Sequence, residues 1–238
     1  ILIIFLFLFI FSIILMNREL LNRSSNFIDN ISKKYNYFLK EIKIDGVKFI
    51  DKSHIQTYFK QYKNKSIFFI PIQEISSSIR GDNWINSVKI SSNYRDTILV
   101  EITESLPIGI YNNGHQNILF NNKFEVLEII NKNNSLFNSL ITFKGNSSII
   151  ASEVFFENIP VNFTSYIKEA IYINNRRWDL ILRNNILLKL SENNIIKSLQ
   201  NYDKIYKNFS KQELLDIESI DLRITEKAIL KFKINTND

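Results

Sequence analysis

The chain has 238 residues, 45% of them apolar, with a net charge of +6 and no cysteine. That length suits one large or two small domains with ample material for a core, and the missing cysteine excludes disulfides, thiolate metal sites and a cysteine nucleophile. The lysines are spread along the sequence, which fits a solubilising charge better than a nucleic-acid surface, where charge gathers on one face.

Residues 1–16, ILIIFLFLFIFSIILM, carry no charge and one polar residue, Ser12. At about 1.5 Å per residue a helix of this length falls somewhat short of a ~30 Å hydrocarbon core. The chain begins without Met, so the span is expected to continue upstream. MNRELLNR follows, with no small-residue cleavage site, so a retained membrane anchor over 1–17 is expected rather than a cleaved signal peptide. Arg18, Arg23, Lys33 and Lys34 lie on its C-terminal side and, taken alone, would place that side in the cytoplasm. The other flank is not in the sequence, so charge leaves the orientation open. Residues 18–40, polar with scattered Leu20, Leu21, Phe27 and Ile31, read as a juxtamembrane helix or stalk.

From residue 41 the punctuation becomes regular. EIKIDGV (41–47) alternates and ends at a glycine, as a strand does. DKSHIQTYFKQY (51–62) places Ile55, Tyr58, Phe59 and Tyr62 at helical spacing behind Asp51 or Ser53 as N-cap. PIQEISSSIR (71–80) is a second helix, with Pro71 in the first turn and Ile72, Ile75 and Ile79 in one stripe. SVKISS and TILVEITE are strands about the turn NYRD (93–96). The order over 41–104 is strand, helix, helix, strand, strand, with a core of Ile44, Ile55, Phe59, Ile75, Val88, Val100 and Ile102.

Beyond Pro107 the chain turns strand-rich. IGIY, a hairpin in NILFNNKFEVLEI about Asn121-Asn122, and LITF read as strands. TSYIKEAIYI (164–173) reads as a helix, and RWDLILRNNILLKL as two strands on an Asn-Asn turn. NNIIKSLQNYDKIYKNF (193–209) is an amphipathic helix with Ile195, Ile196, Leu199 and Tyr206 inward. At the end, Ile220, Leu222 and Ile224 alternate with Asp221 and Arg223. Ala228, Leu230, Phe232 and Ile234 then alternate with Ile229, Lys231 and Lys233. Two strands joined by Thr225-Glu226-Lys227 are expected, the second at a sheet edge with backbone groups open to another chain.

No catalytic constellation can be assembled. The two histidines, His54 on a helix and His115 in a turn, are distant in sequence and read as surface residues. No phosphate-binding glycine loop, zinc-protease helix or nucleophile elbow occurs. Glu101 and Glu104 are three apart on one strand and point to opposite faces. No catalytic, cofactor or metal residues are assigned, and no enzyme activity is expected.

Three stretches in order behind one anchor carry a resemblance. They are IKIDGVKFI with the later DNWINSVKISSNYRDTILVEITESLPIGIY, then INNRRWDLILRNNILLKL, then IESIDLRITEKAILKF. Together they resemble the FtsQ/DivIB family of bacterial cell-division proteins, from about residue 38 to 232. The resemblance implies an α+β fold. Its parts would be a single transmembrane helix (1–17), a juxtamembrane segment (18–40), a POTRA domain of order β-α-α-β-β (41–104) and a mostly antiparallel β-domain with flanking helices (105–238). It implies a non-catalytic, single-pass scaffold of the inner membrane at the division septum, with the C-terminal domain in the periplasm and bilayer contact through 1–16. Its partners would be an FtsB/FtsL-like pair at the β-domain and other divisome proteins at the POTRA domain, with no cofactor and no nucleic acid. In that family the FtsB-like partner adds a strand to the last strand. Carried over, the partner-binding positions are Ile224, Glu226, Ala228, Ile229, Leu230 and Phe232, with Arg176 or Arg177 as charge partner. Where relatives often have glycine in the terminal hairpin turn, this chain has Thr225-Glu226-Lys227. The alternative reading is a POTRA-containing accessory of a protein translocation or assembly system. A secretion barrel needs eight or more strands of about ten residues, and the strands after 105 are mostly shorter.

Overall fold

A computed structural model describes residues 27–131, 135–224 and 226–233. The expected anchor over 1–16 and the side chain of Ile234 lie outside the described residues. Among the described residues no helix is long and apolar enough to cross a membrane. The chain forms two compact units that divide between Ser105 and Leu106.

In the first unit, β1 (Glu41–Asp45), α1 (Lys52–Thr57), α2 (Ile72–Arg80), β2 (Ile85–Ser92) and β3 (Thr97–Glu104) follow in the expected order. The sheet order is β1-β3-β2, with β1 parallel and β2 antiparallel to β3. α1 is shorter than its sequence pattern. Asp51 caps it, its carboxylate accepting from the Ser53 amide at 2.8 Å, but the helix ends at Thr57 and a 3-10 turn covers Lys60–Tyr62. Ile55 and Phe59 nonetheless reach the core and are fully buried. Of the expected core, only Val88 is partly rather than fully buried. Each full burial of an Ile or Phe side chain contributes about 1.5–3 kcal/mol.

Two features fix the path after β1. Gly46 has φ +87°, and a Cβ there would come within 1.9 Å of the Ile102 carbonyl oxygen. Only glycine allows that approach. Glu104 is buried and its carboxylate accepts from the Phe49 amide at 3.0 and 3.1 Å and the Ile50 amide at 2.9 Å. Glu101 instead pairs with Lys89 at 3.0 Å, as strand alternation requires. The described part of the stretch read as a stalk, residues 27–40, also belongs here. Residues 27–34 are helical, the Asp29 carboxylate accepts from the Ser66 amide at 2.8 Å, the Ser32 and Ser66 hydroxyls lie 2.8 Å apart, and Leu39 is buried.

The second unit is a nine-stranded mixed sheet. Its strands are β4 (Pro107–Asn112), β5 (Asn117–Asn121), β6 (Val126–Ile130), β7 (Ile141–Lys144), β8 (Ile167–Ile173), β9 (Arg177–Leu182), β10 (Leu187–Leu190), β11 (Ile217–Leu222) and β12 (Ile229–Phe232). The order is β12-β11-β10-β9-β8-β7-β4-β5-β6. Most neighbours are antiparallel, but β10–β11, β7–β8 and β4–β7 are parallel. Parallel neighbours need a crossover. α3 (Ser148–Asn158) and α4 (Val161–Thr164) supply it between β7 and β8, and α5 (Ile195–Asn208) and α6 (Lys211–Asp216) between β10 and β11. One apolar cluster joins the sheet to the helices through Phe143, Phe155, Trp178, Leu188, Leu199 and Ile220.

The structure corrects three expectations here. Residues 167–173 are a central strand, not a helix. A register shift at Ile167/Glu169 breaks the alternation, so Ile167, Ala170 and Ile171 fall at helix-like spacing. The helix lies earlier, at 148–158, where apolar residues on several sides leave no single stripe to read. On α5, Ser198, Leu199 and Tyr202 are buried, whereas Ile196 and Tyr206 are exposed. The terminal strands end at Leu222 and restart at Ile229, so the connection is longer than Thr225–Lys227, and Ile224, Glu226 and Ala228 lie in it.

Candidate functional site

β12 is the end strand of the nine-stranded sheet and, among the described residues, pairs with β11 alone. Its side chains divide by face. Leu230 lies opposite the buried Ile220, and Ala228 and Leu230 pack on the core. Phe232, in the same row, is 49% exposed and Ile229, on the other face, 62%. The row expected to be buried is therefore only half-covered at its outer end. The Lys231 ammonium meets the Glu218 carboxylate at 2.8 Å, an exposed pair worth under about 1 kcal/mol. Past the strand the Lys233 amide donates to the Asp216 carbonyl at 2.7 Å. Amides alternate along a strand, so those of Lys231 and Ile229 turn toward β11. Those of Leu230 and Phe232 turn to the open side.

A charged row leads across the sheet to this edge. Asp179 is opposite Lys189, Lys189 opposite Asp221, and Asp221 opposite Ile229. Directly opposite residues share a face. The Arg223 guanidinium clamps Asp221, with Nε 2.9 Å from both carboxylate oxygens and Nη2 2.6 Å from one of them. That hydrogen bonding holds the Asp221 carboxyl below its ordinary value, and Lys189 adds to the effect; Asp221 in turn raises Arg223.

The arginine neighbours part because one lies in the strand and the other in the turn before it. Arg177 opens β9, and its Nε lies 3.4 Å from Asp179, which is buried. Arg176 precedes the strand, exposed, 3.6 Å from Glu192. Trp178, the residue after Arg177, is core: buried, with its ring 4.6 Å from Tyr172 and 4.8 Å from Phe155. Of the sequence-assigned positions, Ile229, Leu230 and Phe232 gather in the edge strand, Ile224, Glu226 and Ala228 on its approach, and Arg177 at the far end of the charged row. The sequence reading missed Asp221, Lys189 and Asp179, whose common row appears only once strand register is known. Among the described residues no three His, Asp or Glu side chains are grouped to hold a metal ion.

A β-α-α-β-β unit is followed by a mixed β-domain with an open terminal strand, the plan that the resemblance to bacterial cell-division proteins implies. Comparison with known proteins agrees. A family model for the FtsQ-type POTRA domain matches residues 39–105, and one for the C-terminal part of cell division protein FtsQ/DivIB matches residues 109–223. The cell division protein FtsQ of Rickettsia typhi is 29% identical over 76% of this chain and 68% of its own length. Those of Rickettsia prowazekii (27%, over 86% and 76%) and Rickettsia felis (28%, over 83% and 73%) are similar over comparable spans. The chain belongs to the FtsQ/DivIB family, a family of divisome proteins rather than of known enzymes. β12 lies beyond the residues that the family model matches.

Proposed function

We propose that this chain is a non-catalytic, membrane-anchored scaffold of the divisome. Its β-domain takes a strand from an FtsB-like partner, held with an FtsL-like protein, along the open edge of β12. The observation that carries the reading is the place of β12 at the end of the sheet, with the amides of Leu230 and Phe232 turned outward. An added strand draws its affinity from such main-chain groups, and side-chain pockets select it. The half-exposed Phe232 and the exposed Ile229 offer apolar surface on the two faces of that strand, and the exposed Arg176 offers a cation to an acidic group. The first unit would recruit further divisome proteins, with residues 1–16 anchoring the chain in the inner membrane, the remainder in the periplasm and the assembly at the septum. The test is to extract the full chain from membranes and ask whether small FtsB- and FtsL-like coiled-coil proteins come with it. Their absence under conditions that keep the divisome together overturns the reading.

A further inference from the structure

Six of the lysines that look dispersed along the sequence are brought together by the fold. Residues 27–40 and 60–69 hold Lys33, Lys34, Lys40, Lys60, Lys63 and Lys65 against one acidic residue, Asp29, a net +5 of the chain's +6. The structure makes these two segments one surface. Phe38 and Ser66 form an antiparallel bridge, the Leu39 amide donates to the Lys65 carbonyl at 3.0 Å, and the Ile67 amide donates to the Tyr37 carbonyl at 3.1 Å. Lys65 pairs with Asp29 at 3.7 Å and Lys40 with Asp96 at 3.9 Å. Among the described residues Lys33, Lys34, Lys60 and Lys63 have no acidic partner within 4 Å.

The same surface carries most of the exposed apolar side chains of the first unit. Phe27, Ile31, Tyr35, Tyr37, Phe68 and Phe69 are all exposed, and the Tyr37 and Phe68 rings lie 5.8 Å apart. In the helical stretch, Phe27, Ile31 and Lys34 recur at i, i+4 and i+7 on the side away from the buried Ser32. Aromatic rings interleaved with lysine ammoniums are the composition that seats in the headgroup region of a bilayer. Ten residues, 17–26, separate this surface from the apolar segment, so its first residue lies within about 35 Å of that segment even if they are fully extended.

We infer that the surface formed by residues 27–40 and 60–69 rests on the anionic phospholipid bilayer, lysines on lipid phosphates and rings among the headgroups. The inference rests on the anchor reading for the side of the membrane it meets, though not for its affinity. The bilayer contact would fix the first unit close to the lipid instead of leaving it free on a tether, restricting where the POTRA surface can meet partners. Basic side chains near an anionic surface act roughly additively and are screened by salt.

The chain has no cysteine, which permits single-site labelling. The full chain carrying Phe68→Cys or, on the opposite edge strand β2, Ser87→Cys is labelled with an environment-sensitive fluorophore. It is then reconstituted in vesicles of neutral phosphatidylcholine or with about one third phosphatidylglycerol. On anionic vesicles the label at 68 should shift to the blue and be quenched by headgroup-attached nitroxides, and the label at 87 should do neither. Reversal of Lys33, Lys34, Lys60 and Lys63 to glutamate should cut that response at least about tenfold, as should salt near 1 M. All four are exposed or half-exposed side chains, and circular dichroism of the variant checks its fold. An unchanged label at 68 on anionic vesicles, an equal response at 87, or a response that ignores charge reversal overturns the inference. So does a label at 68 that answers only to an added acidic protein. Retention in neutral vesicles reports the anchor separately: its loss ends the anchor reading, while the response at 68 on anionic vesicles still decides this one.

Discussion

Asp221 stands directly opposite Ile229 across the β11–β12 pair, at the end of a charged row that begins at Asp179. The clamp of Arg223 on Asp221 therefore sits where β11 hands over to the long connection before the edge strand. It orients that connection: the Arg223 amide also donates to the Asp221 carboxylate, at 3.1 Å. The carboxyl is held below its ordinary value of 3.8, chiefly by the Arg223 hydrogen bonds. A depressed folded-state value means that the stabilisation is whole above 3.8 and is lost as pH falls through the lowered value. The Tm difference between the wild type and Asp221→Asn should then be constant from neutral pH down to about 5 and shrink below 3.8. A difference that persists at pH 2 would assign the role of Asp221 to packing.

The two arginines should separate in their effects. Arg177→Ala leaves the buried Asp179 carboxylate short of a partner and should cost about 1 kcal/mol or more of stability, read by denaturant unfolding. Arg176→Ala breaks only an exposed pair with Glu192 and should cost well under that. Binding should show the reverse order, with Arg176→Glu weakening capture of the FtsB-like partner and leaving Tm in place. Equal loss of binding from both, at equal stability, would mean that Arg177 also leaves its row to meet the partner.

How far the sequence could be read depended on how local the signal was. The first unit was legible because each of its elements carries its own punctuation: Gly46 after β1, Asp51 at the start of α1, Pro71 before α2, and Asn93–Asp96 between β2 and β3. In the second unit the crossover through α5 was legible as an amphipathic helix and the one through α3 was not. α3 is apolar on several sides and so has no period to read, and the register shift in β8 imitates a helix over Ile167–Ile171. α6 did carry a signal, the capping pair Ser210 and Glu213, and that pair does form. At the site, the terminal strand followed from alternation alone. The row of Asp179, Lys189 and Asp221 did not, since three residues on three strands become neighbours only through register.

Gly46 should be the least replaceable glycine of the first unit. Gly46→Ala puts a Cβ into the Ile102 carbonyl at a φ of +87° that L side chains avoid, so β1 or β3 must shift. A loss of at least about 2 kcal/mol is expected, since backbone strain and displaced strands add. Because the strain falls on the sheet of the first unit, hydrogen exchange should show lost protection on β1 and β3 and unchanged protection on β10 and β11. Uniform loss across both units would mean that they unfold as one.

The edge strand allows a sharper test than side-chain removal. Phe232 is half-exposed and its amide turns away from β11, so Phe232→Pro removes an outward donor without taking a rung from the β11–β12 ladder. Ile229→Pro takes such a rung and should lower Tm, which makes it a measure of ladder damage. Phe232→Ala keeps the donor and loses only the ring. If a partner strand adds along β12, Phe232→Ala should weaken binding by about 2 kcal/mol with little change in Tm. Phe232→Pro should weaken it further in a domain that is still folded, because the lost amide comes on top of the lost ring. Replacing Lys231 by alanine should change binding by under about 1 kcal/mol, since its charge is already met by Glu218 in solvent. If Phe232→Pro binds as Phe232→Ala does, the partner reads the ring and not the backbone. Strand addition at β12 would then give way to a side-chain contact on the same edge.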